Sequence, residues 1–415
     1  MTMQASHCYR LAKQVQNLVS AHLLFLFSFG WTATPITAEA QSSALPTQNY
    51  YNALGLYNRD NLNSALRQFD RASSGYKILT ANGERLFADA VCSLTMKGEC
   101  YYKAGKIAEA QGCYRLALDM YMTNINLLDS VTFPASMEKD ENAIAQARIN
   151  WGKTTRSGLI GLVRNVQVQF GSQEEYNRAL QNGGVVRRPE QRIVNVVEIM
   201  RCAALAMARR REIFGPLTKH APYSRTLVST LQKQPLINHP YSQAWSQLLH
   251  GMALASMKDY DRAAKIILSA AQAKGFDHPL TPIALFELAN LNQEAGNLKA
   301  AAQLYLETTF SAAIFNQWDL LSQAFQRGLR VHLLSGNKGE YQPLALILQG
   351  DLFRRLPDSV QCNLLLLGAE SQIENGLGQQ ALTFLNSAKK LINKDLQRSE
   401  LAARYFFHLA QVNAL

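Results

Sequence analysis

The 415-residue sequence predicts an all-α protein, an αα-superhelix in which antiparallel helix pairs stack as a solenoid around a helical middle region of different pattern. Three observations predict this fold. One spacing of small and aromatic residues recurs five times along the chain. Where neighbouring copies of this spacing lie further apart than a standard repeat, the excess is close to a whole number of helical turns. Longer helices would therefore keep the same buried face. The chain is 47% hydrophobic and 18% charged, which excludes a disordered protein.

The first 40 residues have the features of an export signal. Arg10 and Lys13 precede the apolar run 23–27, which is too short for a comfortable membrane span, and Ala38 and Ala40 stand at the two small positions that a signal peptidase reads. We therefore expect cleavage after residue 40 and a periplasmic or secreted protein. An uncleaved N-terminal anchor is the alternative. No apolar stretch of the sequence after residue 40 is long enough to span a bilayer.

The cysteine pattern indicates no metal site. Five cysteines remain once Cys8 leaves with the signal, and none belongs to a CxxC motif or to a Cys/His cluster with zinc spacing. Cys92 and Cys100 lie too far apart on one helix to form a disulfide, whereas Cys100 and Cys113 could face each other across a helix pair. Buried free thiols are the alternative. We expect no metal and no cofactor.

The clearest copy of the repeat occupies residues 94–117. Gly98 is followed by Tyr three, Gly seven, Ala twelve and Tyr sixteen positions later. Small residues at Gly98 and Ala110 would let two helix backbones approach closely, and Gly105 would end the first helix in the left-handed conformation. This pattern resembles the tetratricopeptide repeat, which is a pair of antiparallel helices packed through small residues.

Four further segments share the same register of residues. They are 50–72 (Ala53, Leu56, Leu62, Ala65, Phe69, Ala72), 245–270 (Gly251, Leu254, Tyr260, Ala263, Ile267, Ala270), 289–305 (Ala289, Gly296, Leu298, Ala301, Tyr305) and 369–388 (Ala369, Gly376, Ala381, Leu385, Ala388). The Pro that closes a tetratricopeptide repeat is missing from every copy. Residues 335–339 are the predicted turn of one degenerate pair, and 400–415 a lone capping helix.

The copies fall into two blocks separated by a region of different pattern. An N-terminal block, 41–135, and a C-terminal block, 241–415, flank the bridge, 136–240, which we expect to be helical and interrupted by loops. Within the bridge a helix is predicted from Pro189 to Phe214, because Pro favours the first turn of a helix.

Positive charge concentrates in the bridge. Residues 151–240 hold 14 Lys or Arg and 5 Asp or Glu, which is +9 of the chain's +11. The arginines grouped around the predicted helix are Arg187, Arg188, Arg192, Arg201, Arg209, Arg210 and Arg211. Such a patch would attract an acidic protein or an anionic envelope polymer, whereas export disfavours nucleic acid. The alternative is that these arginines are solvated side chains spread around the helix axis. The last three would then stabilise the helix, because positive charge is favourable near the negative end of the helix dipole.

The resemblance to tetratricopeptide proteins implies a protein or peptide partner, since the first helix of each pair in that family lines a concave groove that takes polypeptides. The aligned groove positions are Tyr50, Tyr57, Glu99, Tyr102 and Lys103 in the first block and Trp245, Met252, Phe286, Asn290 and Gln293 in the second. Tyr and Trp are favoured anchors at interfaces. The predicted function is a non-enzymatic scaffold that binds a polypeptide.

One segment, 147–154, satisfies the permissive phosphate-loop pattern that ends in Gly-Lys-Thr. A working phosphate loop needs a buried strand before it and a Gly-rich turn whose N–H groups hold phosphates. Here the preceding residues look helical, and Ala147 replaces the first Gly. A nucleotide-dependent regulator that uses Lys153 is therefore kept as the alternative function. The sequence has no GxSxG or HExxH motif, and we expect no enzyme.

Overall fold

Helices form most of the part of the chain that this computed structural model describes. The described residues are 44–414 without 74–76, 81–82, 132–137, 141, 161–164, 171–172, 184–189, 235–238, 338, 393–396 and 398. The predicted export signal, with Ala38 and Ala40, lies outside the described residues. Among the described residues, no helix has the length and apolar character to cross a bilayer.

Seventeen α-helices occur in the described residues. They are α1 (Gln48–Asn58), α2 (Leu62–Ser73), α3 (Ala90–Lys103), α4 (Ile107–Thr123), α5 (Ala143–Gln146), α6 (Gln173–Gln181), α7 (Val196–Phe214), α8 (Pro222–Gln232), α9 (Pro240–Ser256), α10 (Tyr260–Ala270), α11 (Thr281–Glu294), α12 (Leu298–Ile314), α13 (Trp318–Leu334), α14 (Gln342–Gln349), α15 (Asp358–Glu374), α16 (Gly378–Leu391) and α17 (Glu400–Ala414).

Each predicted repeat copy is a pair of helices joined by a short turn. The pairs are α1/α2, α3/α4, α9/α10, α11/α12 and α15/α16. The first two pairs pack on each other, as do the third and fourth, while α7 and α13 link the remaining neighbours into an all-α solenoid. Each turn contains one residue with a left-handed φ: Asp60, Gly105, Lys258, Gly296 and Gly376, at 61°, 73°, 61°, 78° and 73°. The predicted turn at 335–339 joins α13 to α14, and the predicted capping helix is α17, which packs on α15 and α16.

The register of the repeat is a packing rule within each pair. A small residue on the first helix and a large residue sixteen positions later on the second are both buried. These residues are Ala53 with Phe69, Gly98 with Tyr114, Gly251 with Ile267, Ala289 with Tyr305, and Ala369 with Leu385. A Cβ atom placed at Gly98 would lie 2.5 Å from Tyr114 Cε1, and one at Gly251 would lie 2.5 Å from Ile267 Cγ1. The small residue therefore sets how closely the two helices approach.

Seven strands occur in the described residues, three in the N-terminal block and four in the bridge, where the sequence predicted helices and loops. In chain order the strands are β1 (Ala44–Leu45), β2 (Lys77–Thr80), β3 (Gly83–Leu86), β4 (Glu138–Asp140), β5 (Gly158–Ile160), β6 (Asn165–Phe170) and β7 (Glu190–Asn195). Strand β7 pairs with β6 in antiparallel and with β1 in parallel orientation, while β2/β3 and β4/β5 are antiparallel pairs.

The predicted helix from Pro189 is wrong in its first residues, because β7 occupies 190–195 and α7 begins only at Val196. Pairing to two neighbouring strands satisfies the backbone of β7 and outweighs the first-turn preference of Pro. The Asn195 side chain then caps the helix, since its Oδ1 accepts a hydrogen bond from the Glu198 N–H at 3.1 Å.

Helix α7 connects the two repeat blocks. It packs against α3 and α4 on one side and against α9 on the other. Its buried face carries small and flexible residues, including Cys202, Ala203, Ala206 and Met207. One apolar core consequently runs from Leu45 in the first block to Leu291 in the second, so the bridge is a structural part of the solenoid.

Gly98→Ala should lower the free energy of unfolding by about 1–3 kcal/mol, because the new Cβ would enter the contact with the buried Tyr114 ring. Tyr114 has little freedom to move, since its hydroxyl donates to Glu99 Oε1 at 2.6 Å. Urea unfolding followed by circular dichroism measures the change. Gly112→Ala in α4 is the matched control: its Cβ would meet nothing within 4 Å, so it should be neutral or stabilising by up to about 1 kcal/mol. Equal effects of the two variants would contradict the packing rule.

Candidate binding groove

A cavity of about 1010 Å³ lies against the inner helices of the solenoid, and we call it the groove. Its walls come from α1, α3, α7 and α11, and from the residues around the α12–α13 turn. The N-terminal end of α15 completes the wall. There Ser359 Oγ donates to the Asn58 carbonyl at the end of α1 at 3.1 Å, so the first and the last repeat pairs meet beside the groove.

Half of the predicted groove positions line this cavity. They are Tyr57, Glu99, Phe286, Asn290 and Gln293. Tyr102 and Lys103 stand behind the lining and contact it. The Tyr102 ring lies 4.7 Å from the Arg209 guanidinium, and Lys103 Nζ lies 4.0 Å from the Tyr57 ring centroid.

The other three predicted groove residues, Tyr50, Trp245 and Met252, lie in the core. They are 0%, 2% and 2% exposed and, unlike the equally buried Tyr57 and Glu99, they are not part of the lining of the groove. The repeat register predicts which two helices form a pair. It does not predict which face of the first helix is exposed, because that depends on the neighbouring helices. At Tyr50 that neighbour is α7: the Tyr50 hydroxyl donates to Glu198 Oε1 on that helix.

Three of the seven predicted arginines, Arg201, Arg209 and Arg211, also line the groove, from α7. Arg210 lies elsewhere: it is 4% exposed, and its Nη1 donates to Ser224 Oγ at 3.1 Å. Arg192 lies in β7 and is not part of the lining. Arg187 and Arg188 lie outside the described residues. The groove and the arginine patch, which the sequence predicted as two sites, therefore overlap.

Each of the three groove arginines contacts a carboxylate. Arg201 Nε and Nη2 donate to the two Glu198 oxygens at 2.8 and 2.7 Å, and Arg211 Nη2 lies 2.6 Å from Glu287 Oε2 on α11. Arg209 donates through Nε and Nη2 to the two Glu99 oxygens at 2.9 and 3.1 Å. Two of these pairs join α7 to neighbouring helices, so their first role is to hold the wall of the groove together.

Two of these carboxylates, Glu99 and Glu198, stay ionised inside the wall. Burial alone would raise the pKa of Glu99, but the Arg209 charge and the hydrogen bonds from Arg209 and Tyr114 outweigh it and lower this pKa. Glu198 follows the same balance with Arg201, and its pKa is also lowered. The positive charge of Arg201 and Arg209 is thus paired with ionised carboxylates where α7 faces the groove.

Amide side chains and aromatic rings make up much of the remaining lining. Asn290 and Gln293 lie one turn apart on α11, and the Tyr305 hydroxyl is 2.7 Å from both Asn290 Oδ1 and Gln293 Oε1. Tyr305 can donate to either amide oxygen and so holds both side chains in place. The lining residues that the sequence analysis missed include Tyr51, Asn195, Glu198, Trp318, Gln323 and Arg327. Four of them, Glu198, Trp318, Gln323 and Arg327, lie on α7 or α13, where no repeat copy was aligned.

Trp245 owes its position to a buried histidine that the sequence analysis did not single out. Trp245 Nε1 donates to His278 Nδ1 at 3.3 Å, and His278 Nε2 lies 2.9 Å from the Ala270 carbonyl. These contacts require a neutral imidazole with its proton on Nε2. Burial accordingly lowers the pKa of His278 from the usual 6.5 to about 4. His278 joins the start of α11 to the end of α10.

Stability should fall between pH 6.5 and pH 4 because of His278. The unfolded chain takes up the proton near pH 6.5 and the folded chain only near pH 4, so acid favours unfolding in that window. Urea unfolding at pH 8 and pH 5 should give a loss of about 2 kcal/mol from this group, and His278→Gln should remove that part of the loss. The exposed His220→Gln is the control and should keep it. An unchanged pH dependence in His278→Gln would contradict the assignment.

The segment 147–154 does not have the geometry of a phosphate loop. Helix α5 precedes it where a strand would be required, and a Cβ at Gly152 would lie 2.7 Å from the Phe310 ring. Trp151 is buried and donates from Nε1 to Thr309 Oγ1 at 2.8 Å, while Thr154 Oγ1 donates to Glu307 Oε2 at 3.2 Å. The hydroxyl that would hold magnesium is thus bonded to a carboxylate, and the segment packs on α12.

Titration of the full chain with ATP and magnesium should give no saturable binding up to millimolar concentrations, because no N–H cradle for phosphates exists at 147–154. Isothermal calorimetry measures this, with Lys153→Ala as the paired variant. The two proteins should behave alike. Micromolar binding that is lost in Lys153→Ala would restore the nucleotide-dependent alternative.

The comparisons with known proteins add little to this geometry. No protein-family model matches the chain, and no curated protein matches it. Among solved structures, the chain is similar to the crystal structure of the apo form of RapI, with 13% sequence identity, coverage of 83% of this chain and 97% of that chain, and a TM-score of 0.33. A similarity this low carries no argument about function, so the groove is interpreted from its own residues.

Proposed function

We propose that the chain is a non-enzymatic scaffold of the tetratricopeptide class that binds a polypeptide partner in the groove, and that it does so in an exported compartment. The observation that carries the proposal is the groove itself. Its volume of about 1010 Å³ is at the upper end of what pockets for small ligands reach, which is roughly 300–1,000 Å³. A segment of several residues is an occupant of suitable size.

The chemistry of the lining supports a polypeptide. A primary amide can donate to a carbonyl and accept from an N–H at once, which matches a peptide bond in any sequence. The lining supplies such amides at Asn290, Gln293, Asn316 and Gln323, whereas Asn195 and Gln317 already hydrogen-bond within the protein. The rings of Phe286 and Trp318 lie among them and offer apolar contact for individual side chains of the partner. Amides would then supply affinity and rings selectivity.

The alternative of an anionic polymer has less support from the same residues. Arg201, Arg209 and Arg211 contact Glu198, Glu99 and Glu287 respectively, and a polyanion would have to displace these carboxylates from buried pairs. Export and membership of the tetratricopeptide class are supported by sequence features alone, namely the signal-like N-terminus and the shared register of the five helix pairs.

Selection from a random library of displayed twelve-residue peptides tests the proposal without a known partner. An enriched peptide should bind the full chain, and the double variant Asn290→Ala with Gln293→Ala should weaken that binding at least tenfold, since two donors to the peptide backbone are removed. Fluorescence anisotropy with the synthetic peptide measures the affinity.

A matched control is available on α6, outside the lining of the groove. Gln173 and Asn177 are an exposed pair of amides whose Nε2 and Oδ1 lie 3.0 Å apart. Their double change to Ala removes the same groups and should leave the affinity within twofold of the original. Equal weakening by both double variants, or no enrichment of any peptide, would contradict a peptide-binding groove. Strong binding of heparin instead, with steep salt dependence, would favour the anionic polymer.

A further inference from the structure

An irregular segment of the bridge, residues 147–157, is fastened across the second repeat block, and we call it the strap. Its residues 149–157 form neither helix nor strand. The anchor of the strap is Trp151, which is 1% exposed and packs against two rings. The Trp151 ring centroid lies 6.1 Å from that of Phe310 on α12 and 5.9 Å from that of Phe325 on α13. One side chain of the strap thus contacts both helices of the α12–α13 pair.

Polar contacts fasten the strap on both sides of this anchor. On one side, Asn150 Nδ2 donates to the Leu346 carbonyl on α14 at 3.0 Å. On the other, Arg156 Nε donates to Glu307 Oε2 on α12 at 2.8 Å, and Arg156 Nη1 donates to Asp277 Oδ1 at 3.0 Å. Asp277 lies in the connection between α10 and α11. The strap therefore joins the chain just before α11 to α12, α13 and α14.

Arg156 is the part of the strap that the fold can least release. It forms an ion pair with Asp277, whose side chain is 0% exposed, and a further hydrogen bond to the same carboxylate comes from the neutral amide of Gln272 at 2.9 Å. Withdrawal of Arg156 would leave a buried carboxylate without its counter-charge, which is strongly unfavourable. The stable state of the second block is therefore the one in which the strap is docked.

The strap contacts the α12–α13 pair away from the groove. Residues 315–320, around the turn of that pair, line the groove, and so do Gln323 and Arg327 on α13. None of the described residues that the strap contacts belongs to that lining. In a solenoid each repeat contacts only its neighbours, and a small rotation per repeat sets the curvature of the inner surface. A segment fastened to four consecutive elements restricts that rotation.

We propose that the strap positions the α12–α13 pair and thereby sets the spacing between α11 and α13 across the groove. Where it concerns affinity, this rests on the proposed function: a groove of fixed shape need not be ordered when the peptide arrives, which lowers the cost of binding. Asn150, Trp151 and Arg156 are then positioning residues. They act on the groove through α12, α13 and α14 and touch no ligand.

The strap is tested with mild changes, since Trp151→Ala would also open a cavity beside two buried rings. The strap variant combines Asn150→Ala with Arg156→Lys in the full chain. The first change removes the bond to α14. The second keeps a positive charge, but an ammonium group cannot bond two carboxylates in the fork geometry of a guanidinium.

The expected result in the strap variant is a looser turn between α12 and α13. The amides of residues 315–321 should exchange hydrogen at least tenfold faster, as measured by mass spectrometry, and the peptide enriched from the display library should bind at least fivefold more weakly. Leu231→Ala is the matched control, because Leu231 is buried on α8, which does not line the groove. Compared at the same interval below its melting temperature, this control should keep both quantities within twofold of the original.

The two readouts separate this proposal from the peptide-binding function. Faster exchange in the strap variant, with no peptide bound by the original chain, would support the strap and contradict the proposed function. Unchanged exchange of residues 315–321, or an equal change in Leu231→Ala, would overturn the role of the strap. An unchanged affinity of the strap variant for a peptide that the original chain binds would overturn it as well.

Discussion

The buried carboxylate of Glu99 is the interaction on which the rest of the groove depends. It accepts hydrogen bonds from Tyr57 on α1 and Tyr114 on α4, and it forms two charge-assisted bonds with Arg209 on α7. Four helices therefore converge on one side chain that is 2% exposed. Removal of one member of such a pair leaves an uncompensated buried charge, which typically costs about 3–5 kcal/mol. The geometry of the inner wall is thus fixed by charge as well as by packing.

This pairing changes how the positive charge of the chain has to be interpreted. On the sequence, Arg201, Arg209 and Arg211 belong to a basic region and suggest an acidic partner. In the fold, each contacts a carboxylate, and two of those carboxylates, Glu99 and Glu287, come from other helices. Charges that are paired before a ligand arrives orient the wall and do not attract a polyanion over a distance. The groove consequently presents amides and rings between ion pairs.

The parts of the fold that the sequence predicts are those set by local spacing. The contact of Gly98 with Tyr114 joins residues sixteen apart, so one pair of helices contains the whole signal, and the turn at Gly105 follows from it. Strand β7 could not be predicted in the same way, because its partners β1 and β6 come from other parts of the chain. Pairing between distant segments overrode the helix-start preference of a single Pro.

The residues of the groove could likewise be predicted only where local spacing determines their position. Asn290 and Phe286 were predicted because they lie on an aligned first helix, and they do line the groove. Trp245 was predicted by the same rule but lies in the core, where it bonds to His278. An inner helix has an exposed face only where no further element covers it. The path of the chain that follows α10 decides this for Trp245, and no repeat register contains that information.

The two sides of the groove are held by interactions of different strength, which indicates where a partner enters. At α7 the wall is joined by buried ion pairs. In the part of the chain that the structure describes, α1 and α15 do not pack as a helix pair, and a hydrogen bond exposed to water joins Ser359 to the Asn58 carbonyl. An exposed hydrogen bond contributes about 0.5–1.5 kcal/mol at most, so separation of α1 from α15 costs far less than displacement of α7. We therefore expect the groove to admit a polypeptide on the α1–α15 side while its α7 side stays rigid.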